Sequence, residues 1–445
     1  MAASSAPPPP VFPPVLPGRH PHAPAAKDLD KCVHCGLCLN ACPTYRELGL
    51  EMDSPRGRIY QMVQIATGQA QIDDTYREHI DLCLACRACE TACPSGVPYG
   101  RLVEAARAEI RASQPETGRG ASLQRFLYNK LLPSRGLLKT AGALLYLAEV
   151  SGLRKLARNT GLLKAISPKL AEIEPLAPSP EAPFFFSKIG KTFPAIGPKR
   201  ARVALMAGCI ANVFFARLNE ATIRVLQRNG CEVVIPAKQT CCGALHVHAG
   251  VRDTAQELAR QNIAALLEGK YDAIITNAAG CGSTLKEYPE IAGHDPAWEG
   301  KAIAFSALVR DVNEFLAGLG LNKNMGALDL TVTYQDSCHL AHGQRVKVAP
   351  RRLLAAIPGV TFREMPLSDL CCGSAGVYNI VHVEMAANLL AKKMPLANGT
   401  RADVIATANP GCMLQLRAGV QRHGRGQRVV HVIELLDEAY AKLES

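Results

Sequence analysis

The sequence predicts an α+β multidomain protein in which a small helical, cysteine-rich domain precedes two tandem α/β domains. Three observations support this fold class. The chain has 445 residues, of which 48% are hydrophobic, enough for several separate cores. Eight of its 17 cysteines stand before residue 100 in two runs of identical spacing. Eight of the other nine lie after residue 200, in a pattern that occurs twice.

Composition excludes two classes of protein. The 50 Lys and Arg residues outnumber the 39 Asp and Glu residues, which gives a formal net charge of +11. These charges are scattered, whereas nucleic-acid binders concentrate basic residues on one face or tail, so we expect no nucleic-acid partner. A disulfide scaffold is excluded because such scaffolds are short secreted domains. We expect a reducing cytoplasm, where ordered cysteine spacings indicate metal or redox chemistry.

The first run has the spacing C-x-x-C-x-x-C-x-x-x-C-P at Cys32, Cys35, Cys38 and Cys42, and the second repeats it at Cys83, Cys86, Cys89 and Cys93. This is the spacing that ligates cubane [4Fe-4S] clusters, because closely spaced thiolates surround one corner of the cube. We expect the proline after each fourth cysteine to stop the loop from continuing as a helix. Two zinc knuckles are the alternative, but zinc sites use cysteine pairs separated by a spacer.

The ligands of the two clusters are expected to be interchanged. In two-cluster ferredoxins, the fourth cysteine of each run ligates the other cluster. By that rule one cluster is held by Cys32, Cys35, Cys38 and Cys93, and the other by Cys83, Cys86, Cys89 and Cys42. Residues 27–113 are therefore predicted to form an α-helical two-[4Fe-4S] ferredoxin-like domain. Residues 1–26 are proline-rich, lack the regions of a signal peptide, and are predicted to be a disordered tail.

The later cysteines show an internal duplication. Cys209, Cys241, Cys242 and Cys281 recur as Cys338, Cys371, Cys372 and Cys412, at offsets of 129 to 131 residues. This period is too long for a solenoid and indicates two homologous cysteine-rich domains, 201–325 and 326–445. In each, the adjacent cysteines are followed by glycine, a Cys-Cys-Gly (CCG) motif. Cys231 lies outside the pattern and is predicted to be a small core residue.

Each half is predicted to be a parallel sheet covered by helices. In the first half, an apolar run at 203–207, an extended segment at 232–236 and a buried segment at 272–276 predict strands, and 212–228 and 253–267 predict helices. The duplicated cysteines follow strands, at the sheet edge where such folds bind ligands, and Cys281 and Cys412 open helices. They are candidates for an additional iron-sulfur or metal site, a redox dithiol or a buried structural feature. His246, His248, His339 and His342 either tune such a site or are polar loop residues.

Residues 114–200 are predicted to be a helical linker. Its basic amphipathic segments, 123–132 and 153–158, either lie on an anionic membrane surface and meet a quinone or pack on a neighbouring domain. The best apolar stretch, 137–153, contains Lys139 and Glu149, so no membrane span is expected. The proline-rich composition of residues 175–198 indicates a linker.

Motifs for substrate chemistry are missing. The sequence contains no dinucleotide-binding fingerprint, P-loop, nucleophile elbow or zinc-protease motif, so we expect no catalytic residues in this chain. Oxidation of an organic substrate is usually carried out by a flavin or a nicotinamide. A partner must therefore supply that chemistry.

These motifs together resemble the iron-sulfur subunit of glycolate oxidase, also called glycolate dehydrogenase. The resemblance covers nearly the whole chain after the tail. It rests on Cys32-Val33-His34-Cys35-Gly36-Leu37-Cys38, Asp53-Ser54-Pro55-Arg56-Gly57-Arg58-Ile59-Tyr60, Cys83-Leu84-Ala85-Cys86-Arg87-Ala88-Cys89-Glu90, Ala279-Gly280-Cys281-Gly282 and Leu370-Cys371-Cys372-Gly373. The CCG halves alone are shared with subunits of heterodisulfide reductase, lactate utilisation and anaerobic glycerol-3-phosphate dehydrogenase.

The resemblance implies an electron-transfer subunit. Flavoprotein subunits carrying FAD would oxidise glycolate to glyoxylate, and electrons would pass through the two [4Fe-4S] clusters to a membrane acceptor such as quinone. It implies a cytoplasmic protein attached peripherally to the cytoplasmic face of the inner membrane. The alternatives are the corresponding subunit for D-lactate or glycerol 3-phosphate, or a heterodisulfide-reductase-like subunit. That last type carries a further cysteine where this chain has Ala278 and Asn409, which counts against a five-thiolate cluster.

Overall fold

The computed structural model describes residues 15–115, 118–161, 163, 165, 178–293 and 295–443. The chain divides into two compact units. The first comprises residues 1–116 together with 248–250, and the second comprises residues 117–247 and 251–445. Helices dominate both units, and among the described residues all strands lie in the second.

The first unit is helical in its described part. Ser54 caps its third helix by accepting a hydrogen bond from the Gly57 amide, and Pro55 begins that helix. The third and sixth helices bury Ile59, Met62 and Val103 in the core of the unit. The helices are α1 (Ala26–Leu29), α2 (Pro43–Leu48), α3 (Pro55–Ala66), α4 (Asp74–Asp81), α5 (Ala88–Ala92) and α6 (Tyr99–Ser113), with a 3₁₀ turn at Glu51–Asp53.

Two expectations for this unit differ from the structure. Pro43 does not stop a helix but begins α2, because the first helical position needs no amide donor and favours the fixed φ of proline. Residues 15–26, predicted to belong to a disordered tail, contact the unit. The Leu16 amide donates to the Ala66 carbonyl at 2.9 Å, and the Arg19 guanidinium pairs with the buried Glu109 carboxylate at 2.7 Å. Residues 1–14 lie outside the described residues.

The second unit begins with the linker helices. These are α7 (Gly118–Phe126), a π-helical turn at Leu127–Leu131, α8 (Arg135–Val150) and α9 (Leu153–Asn159). One face of α8 packs against Val213, and Gly142 permits this close approach, since a Cβ there would lie 2.8 Å from a Val213 methyl group. Most of 162–177 lies outside the described residues, and the described part of the predicted linker, 178–198, contacts the domain that follows it. Phe185 is fully buried, and Thr192 pairs with Val234 in a sheet.

Two α/β domains follow, each around a sheet whose main strands are parallel. The first contains β1 (Thr192–Phe193), β2 (Ala201–Leu205), α10 (Ala211–Phe214), α11 (Ala216–Arg228), β3 (Cys231–Val234), α12 (Ala244–His248), α13 (Arg252–Leu267), β4 (Ala273–Thr276), α14 (Ala279–Lys286), α15 (Tyr288–Ile291), α16 (Pro296–Leu308), β5 (Val309–Asp311) and α17 (Val312–Leu319). The second contains β6 (Leu330–Tyr334), a π-helical turn (His339–Gly343), α18 (Val348–Ala355), β7 (Val360–Glu364), α19 (Tyr378–Val381), α20 (Val383–Gly399), β8 (Val404–Thr407), α21 (Pro410–His423), β9 (Arg428–His431) and α22 (Val432–Lys442).

The sheets confirm the predicted duplication of architecture. Their orders are β1-β3-β2-β4-β5 and β7-β6-β8-β9, so β3-β2-β4-β5 matches β7-β6-β8-β9 strand for strand. All of these pairs are parallel, and only the edge strand β1 is antiparallel. The loops that follow β2, β3 and β4, and their counterparts in the second sheet, therefore meet at one edge. The duplicated cysteines lie in these loops or, for Cys281 and Cys412, in the first turn of the helix that follows.

The two domains share a hydrophobic core. Helices α11 and α22 pack together, and Arg224 of the first pairs with Asp437 of the second at 2.6 Å. The predicted helix 212–228 is interrupted at Phe215, where φ is −141°, so that α10 and α11 are separate. No helix among the described residues is long and apolar enough to cross a membrane.

Candidate metal centres

One set of thiols lines a single cavity in the first unit. It consists of Cys42 from the first run and Cys83, Cys86 and Cys89 from the second. All four side chains are buried. Burial raises the pKa of the Cys89 thiol well above its usual value, and its neighbours Cys86, Cys83 and Cys42 add to the rise. The structure thus brings together the four cysteines expected to share one cluster.

The other set is arranged around Cys32. Burial raises the pKa of the Cys32 thiol, and the nearby thiols of Cys93 and Cys35 raise it further. Burial also raises the pKa of Cys38 to about 11, with Cys32 as a neighbour. Cys93, from the second run, therefore lies beside cysteines of the first run. Cys35 is exposed, so this set lies nearer the surface than the other.

The two cysteine loops have the same backbone conformation. His34 and Ala85 occupy equivalent positions with φ of 54° and 51°, and Gly36 and Arg87 follow with φ of 84° and 65°. Left-handed conformations at non-glycine residues are strained and concentrate at functional sites. They curl each loop so that amides turn towards the thiols, and the Ala85 amide donates to Cys83 Sγ at 3.4 Å.

The spacing of these thiols suits a cluster better than a single ion. Among the described residues, no three His, Cys, Asp or Glu side chains converge closely enough to bind one metal ion. A [4Fe-4S] cube spreads its ligands, because each thiolate binds a different iron atom. Four buried thiols around one cavity fit that requirement.

In the second unit, the duplicated cysteines form two pairs in each half. Cys209 Sγ lies 3.3 Å from Cys241 Sγ, and Cys242 Sγ lies 3.0 Å from Cys281 Sγ. The second half repeats this pairing, with Cys371 hydrogen-bonded to Cys338, and Cys372 to Cys412. Each half therefore gathers its four thiols at the carboxyl edge of its sheet, as the strand order requires.

The backbone geometry explains why a glycine follows the two cysteines of the CCG motif. Gly373 has a φ of +90°, and a Cβ there would lie 2.7 Å from the Ala386 carbonyl oxygen. Its amide donates to Cys371 Sγ at 3.4 Å, and Gly243 does the same for Cys241 at 3.5 Å. A side chain at this position would turn the amide away from the thiol.

Asn409 links the two halves. Its Oδ1 accepts a hydrogen bond from the Gly280 amide at 3.3 Å, and its Nδ2 donates to Cys412 Sγ at 3.6 Å. The amide group thus contacts the residue before Cys281 in one half and a cysteine of the other. Asn409 stands where the heterodisulfide-reductase type has a further cysteine, and here it contributes a hydrogen-bond donor.

The histidines contribute less to these sites. His339 Nδ1 lies 3.7 Å from Cys338 Sγ, so it contacts the cysteine cluster directly. His246 and His342 are buried and bind the backbone carbonyls of Tyr128 and Asp369. His248 Nδ1 lies 2.9 Å from Glu104 Oε1. His246, His342 and His248 are therefore held by contacts with residues other than the thiols. Cys231 is confirmed as a fully buried core residue.

Sequence reasoning missed two buried cations beside the thiols. Arg58 lines the cavity of Cys42 and Cys83, and Lys393 lies beneath the loop of Cys371 and Cys372. Arg58 stands within the run 53–60 that carries the family resemblance, but the pattern of residues around it gives no indication that its side chain is buried. For Lys393 the only available signal is its position in an otherwise apolar face of α20.

Comparison with known proteins agrees with this geometry. The 4Fe-4S dicluster domain matches residues 28–97, the cysteine-rich domain matches 203–286 and 332–417, and the linker region of glycolate oxidase iron-sulfur subunits matches 120–177. A probable glycolate oxidase iron-sulfur subunit of Bacillus subtilis is 42% identical over 417 residues, covering 93% of this chain and 94% of its own. The chain belongs to the family of glycolate oxidase iron-sulfur subunits.

Other relatives mark the extent of the similarity. The glycolate oxidase iron-sulfur subunit of Escherichia coli is 33% identical over 93% of this chain and 95% of its own length. Lactate utilization protein A of Oceanobacillus iheyensis is 32% identical, but over 53% of this chain and 96% of its own. The glycolate oxidase subunits thus match throughout, whereas the lactate-utilisation protein matches only about half of the chain.

Proposed function

We propose that this chain is the electron-transfer subunit of a glycolate-oxidising complex. Flavoprotein subunits carrying FAD would oxidise glycolate to glyoxylate, and this chain would conduct the electrons to a membrane acceptor, quinone. The observation that carries the proposal is the interchange of cysteines, which places Cys42 among Cys83, Cys86 and Cys89. When bound, [4Fe-4S] clusters supply one-electron transfer, which divides the electron pair of a flavin into single steps.

The residues of the chain would hold and shield these clusters. The proposed ligands are Cys32, Cys35, Cys38 and Cys93 for one cluster, and Cys83, Cys86, Cys89 and Cys42 for the other. Burial of the second set excludes water, and the amides of the curled loops donate to the sulfur atoms. Both features influence the potential of an iron-sulfur cluster.

The duplicated cysteines are proposed as an additional cofactor site. The cysteines of the second half are buried, Cys209 and Cys281 of the first half are partly buried, and Gly243 and Gly373 supply amide donors to the two halves. The candidate ligands are Cys209, Cys241, Cys242, Cys281, Cys338, Cys371, Cys372 and Cys412. A further iron-sulfur cluster or metal at this edge would lie where open α/β sheets bind their ligands.

We also propose that the linker helices attach the protein to the cytoplasmic face of the inner membrane. Helix α8 packs on the first α/β domain through Leu138 and Gly142, while Leu144, Leu147 and Val150 are exposed. Residues 118–161 contain eight Lys and Arg and a single acidic residue, Glu149. Apolar residues flanked by basic ones suit an anionic lipid surface. Quinone would be reached from that surface.

The experiment that tests the proposed function is anaerobic affinity purification from the native host. The eluate is scanned for flavin absorbance and assayed for dye reduction with glycolate, D-lactate and glycerol 3-phosphate. We expect a flavin-containing complex that reduces dye with glycolate. A flavin-free brown protein with no activity, or activity with D-lactate alone, would contradict the proposal.

A further inference from the structure

The cavity of Cys42, Cys83, Cys86 and Cys89 contains a buried positive charge. Arg58 of α3 lines this cavity, and its side chain is fully buried. Each part of the guanidinium is held in place. Nε donates to the His79 carbonyl at 2.6 Å, Nη1 to Thr44 Oγ1 at 3.1 Å and Nη2 to Asp53 Oδ1 at 3.2 Å. The charge therefore has a fixed position relative to the thiols.

The arrangement directs the cation, and not its counter-ion, towards the cavity. The residues that line the cavity include Arg58 and Thr44 but neither Asp53 nor His79. Asp53 is nearly fully buried behind the guanidinium and also contacts His79 Nδ1 at 3.0 Å. Thr44 Oγ1 lies 3.2 Å from Cys42 Sγ, so one hydroxyl joins the guanidinium to a proposed ligand.

The other thiol set has no equivalent buried charge among the described residues. Arg56, two residues earlier in α3, has a side chain that is 30% exposed and pairs with Glu51, which is 44% exposed. Water screens such a pair, whereas a charge inside the protein acts at a much lower effective dielectric. Arg87 also lines the cavity of Cys42 and Cys83, but unlike Arg58 it is partly exposed, and it pairs with Glu90 at 3.0 Å.

We propose that Arg58 raises the reduction potential of the cluster held by Cys83, Cys86, Cys89 and Cys42 above that of the other cluster. The inference rests on the proposed function, since it requires clusters at both sets. Reduction adds one electron to the cluster and neither makes nor breaks a bond, and the flavin of the partner subunit is the reductant. The added negative charge is stabilised by a nearby buried cation. When both clusters are bound, an electron shared between them would therefore favour the Cys42 cluster over the Cys32 cluster.

Redox titration of the complete complex, followed by electron paramagnetic resonance, tests this inference. Arg58→Met should lower the midpoint potential of the Cys42 cluster and leave that of the Cys32 cluster unchanged. At a fixed potential the ratio of reduced to oxidised cluster should fall about tenfold, which corresponds to about 59 mV for one electron. Arg58→Lys keeps the positive charge, so the midpoint potential of the Cys42 cluster should return most of the way to the wild-type value. Arg56→Met is the control and should leave the Cys42 cluster unshifted.

Asp53→Asn provides a second test that does not depend on removing the arginine. It deletes the buried counter-charge, so the midpoint of the same cluster should rise. If the Arg58→Met variant no longer binds the Cys42 cluster, the Asp53→Asn variant serves as the test. A midpoint potential of the Cys42 cluster that falls or does not change in Asp53→Asn overturns the inference. An unchanged midpoint in an intact Arg58→Met complex also overturns it. Absence of both cluster signals from the wild-type complex would instead refute the proposed function.

Discussion

Lys393 in the second α/β domain occupies the place that Asn262 occupies in the first. Both stand at the eleventh position of the helix that follows the CCG motif, α20 and α13. The Asn262 Nδ2 donates to the Cys241 carbonyl at 2.9 Å, and the Lys393 Nζ donates to the Leu370 carbonyl at 3.1 Å. Each therefore anchors the loop that carries the adjacent cysteines. The first half uses a neutral amide, and the second a buried ammonium group.

Lys393 is satisfied by backbone carbonyls. Its three N–H donors match the carbonyls of Leu367, Ser368 and Leu370, at 2.9, 2.8 and 3.1 Å. No carboxylate forms an ion pair with it in the part of the chain that the structure describes. Burial lowers the pKa of Lys393 to about 8, and the negative charges that most oppose this fall are those of Cys372 and Asp336.

We predict that Lys393→Asn destabilises the second domain. The variant leaves at least one loop carbonyl without a donor, so the free energy of unfolding should fall by about 2 kcal/mol. Chemical denaturation, followed by circular dichroism, measures this change. Lys392→Asn is the control, because Lys392 is exposed on the same helix, and its effect should stay within about 0.5 kcal/mol. Equal effects of the two substitutions would contradict the role of the carbonyl contacts.

The interchange of cysteines predicts which cluster each substitution removes. Cys42→Ser should eliminate the cluster of Cys83, Cys86 and Cys89, although Cys42 belongs to the first run. Cys93→Ser should eliminate the other cluster, and each should lower the iron bound in the first unit by half. Electron paramagnetic resonance together with iron analysis distinguishes the two losses.

Cys231→Ala is the control for these variants. Cys231 is fully buried in the core of the first α/β domain and lies outside every proposed ligand set. It should retain both cluster signals. If Cys42→Ser removed the cluster of Cys32, Cys35 and Cys38 instead, the interchange would be wrong.

A buried aspartate predicts a pH dependence of stability. Asp311 caps α17, is fully buried, and has no hydrogen-bond partner for Oδ2 among the described residues. Burial raises its pKa from 3.8 to about 6. The folded state therefore retains a proton that the unfolded state releases. The resulting stabilisation is present below pH 3.8 and is lost as the pH rises through about 6.

Asp311→Asn should remove this dependence while keeping a capping side chain. The free energy of unfolding of the variant, relative to that of the wild type, should increase by about 3 kcal/mol between acid and neutral pH, because each pKa unit corresponds to about 1.36 kcal/mol. Denaturation midpoints at a series of pH values measure the difference. Asp295→Asn is the control, since Asp295 caps α16 with a side chain that is 39% exposed. A difference in stability between the variant and the wild type that stays constant across the pH range would contradict the raised pKa of Asp311.

The proposed membrane surface predicts a loss of lipid binding. Leu144→Glu combined with Leu147→Glu places two carboxylates on the exposed face of α8, and binding to vesicles containing anionic lipid should fall at least tenfold. Co-sedimentation measures binding, and high salt should weaken that of the wild type. Ile303→Glu, an exposed apolar position on α16, should have no effect. Unchanged binding of the double variant would contradict the proposed membrane surface.

The sequence predicted the cysteine sets and the parallel strands for clear physical reasons. Ligand spacing is local, so Cys32 to Cys42 could be read directly, and strands β2, β3 and β4 each contain adjacent apolar residues. Other elements have no local signal. Strand β5 has three residues, Val309–Asp311, and is defined by its pairing with β4. The interruption at Phe215 likewise depends on tertiary packing.

The buried charges could not be predicted. Arginine and lysine are usually exposed, and only a structure shows that Arg58 and Lys393 are enclosed. The proline after Cys42 was misinterpreted because proline both ends and begins helices, and the position of the helix decides which applies. The ordered contact between Arg19 and Glu109 joins residues 90 positions apart, so composition alone could not reveal it.

The most direct test of the account is electron paramagnetic resonance of the purified complex, frozen after anaerobic addition of glycolate. Electrons from glycolate should appear as signals of two reduced [4Fe-4S] clusters, and Cys86→Ser should abolish one of them together with glycolate-dependent quinone reduction. Clusters that stay oxidised in the presence of glycolate, or an unaffected rate of quinone reduction in Cys86→Ser, would contradict the claim that this chain carries the electrons.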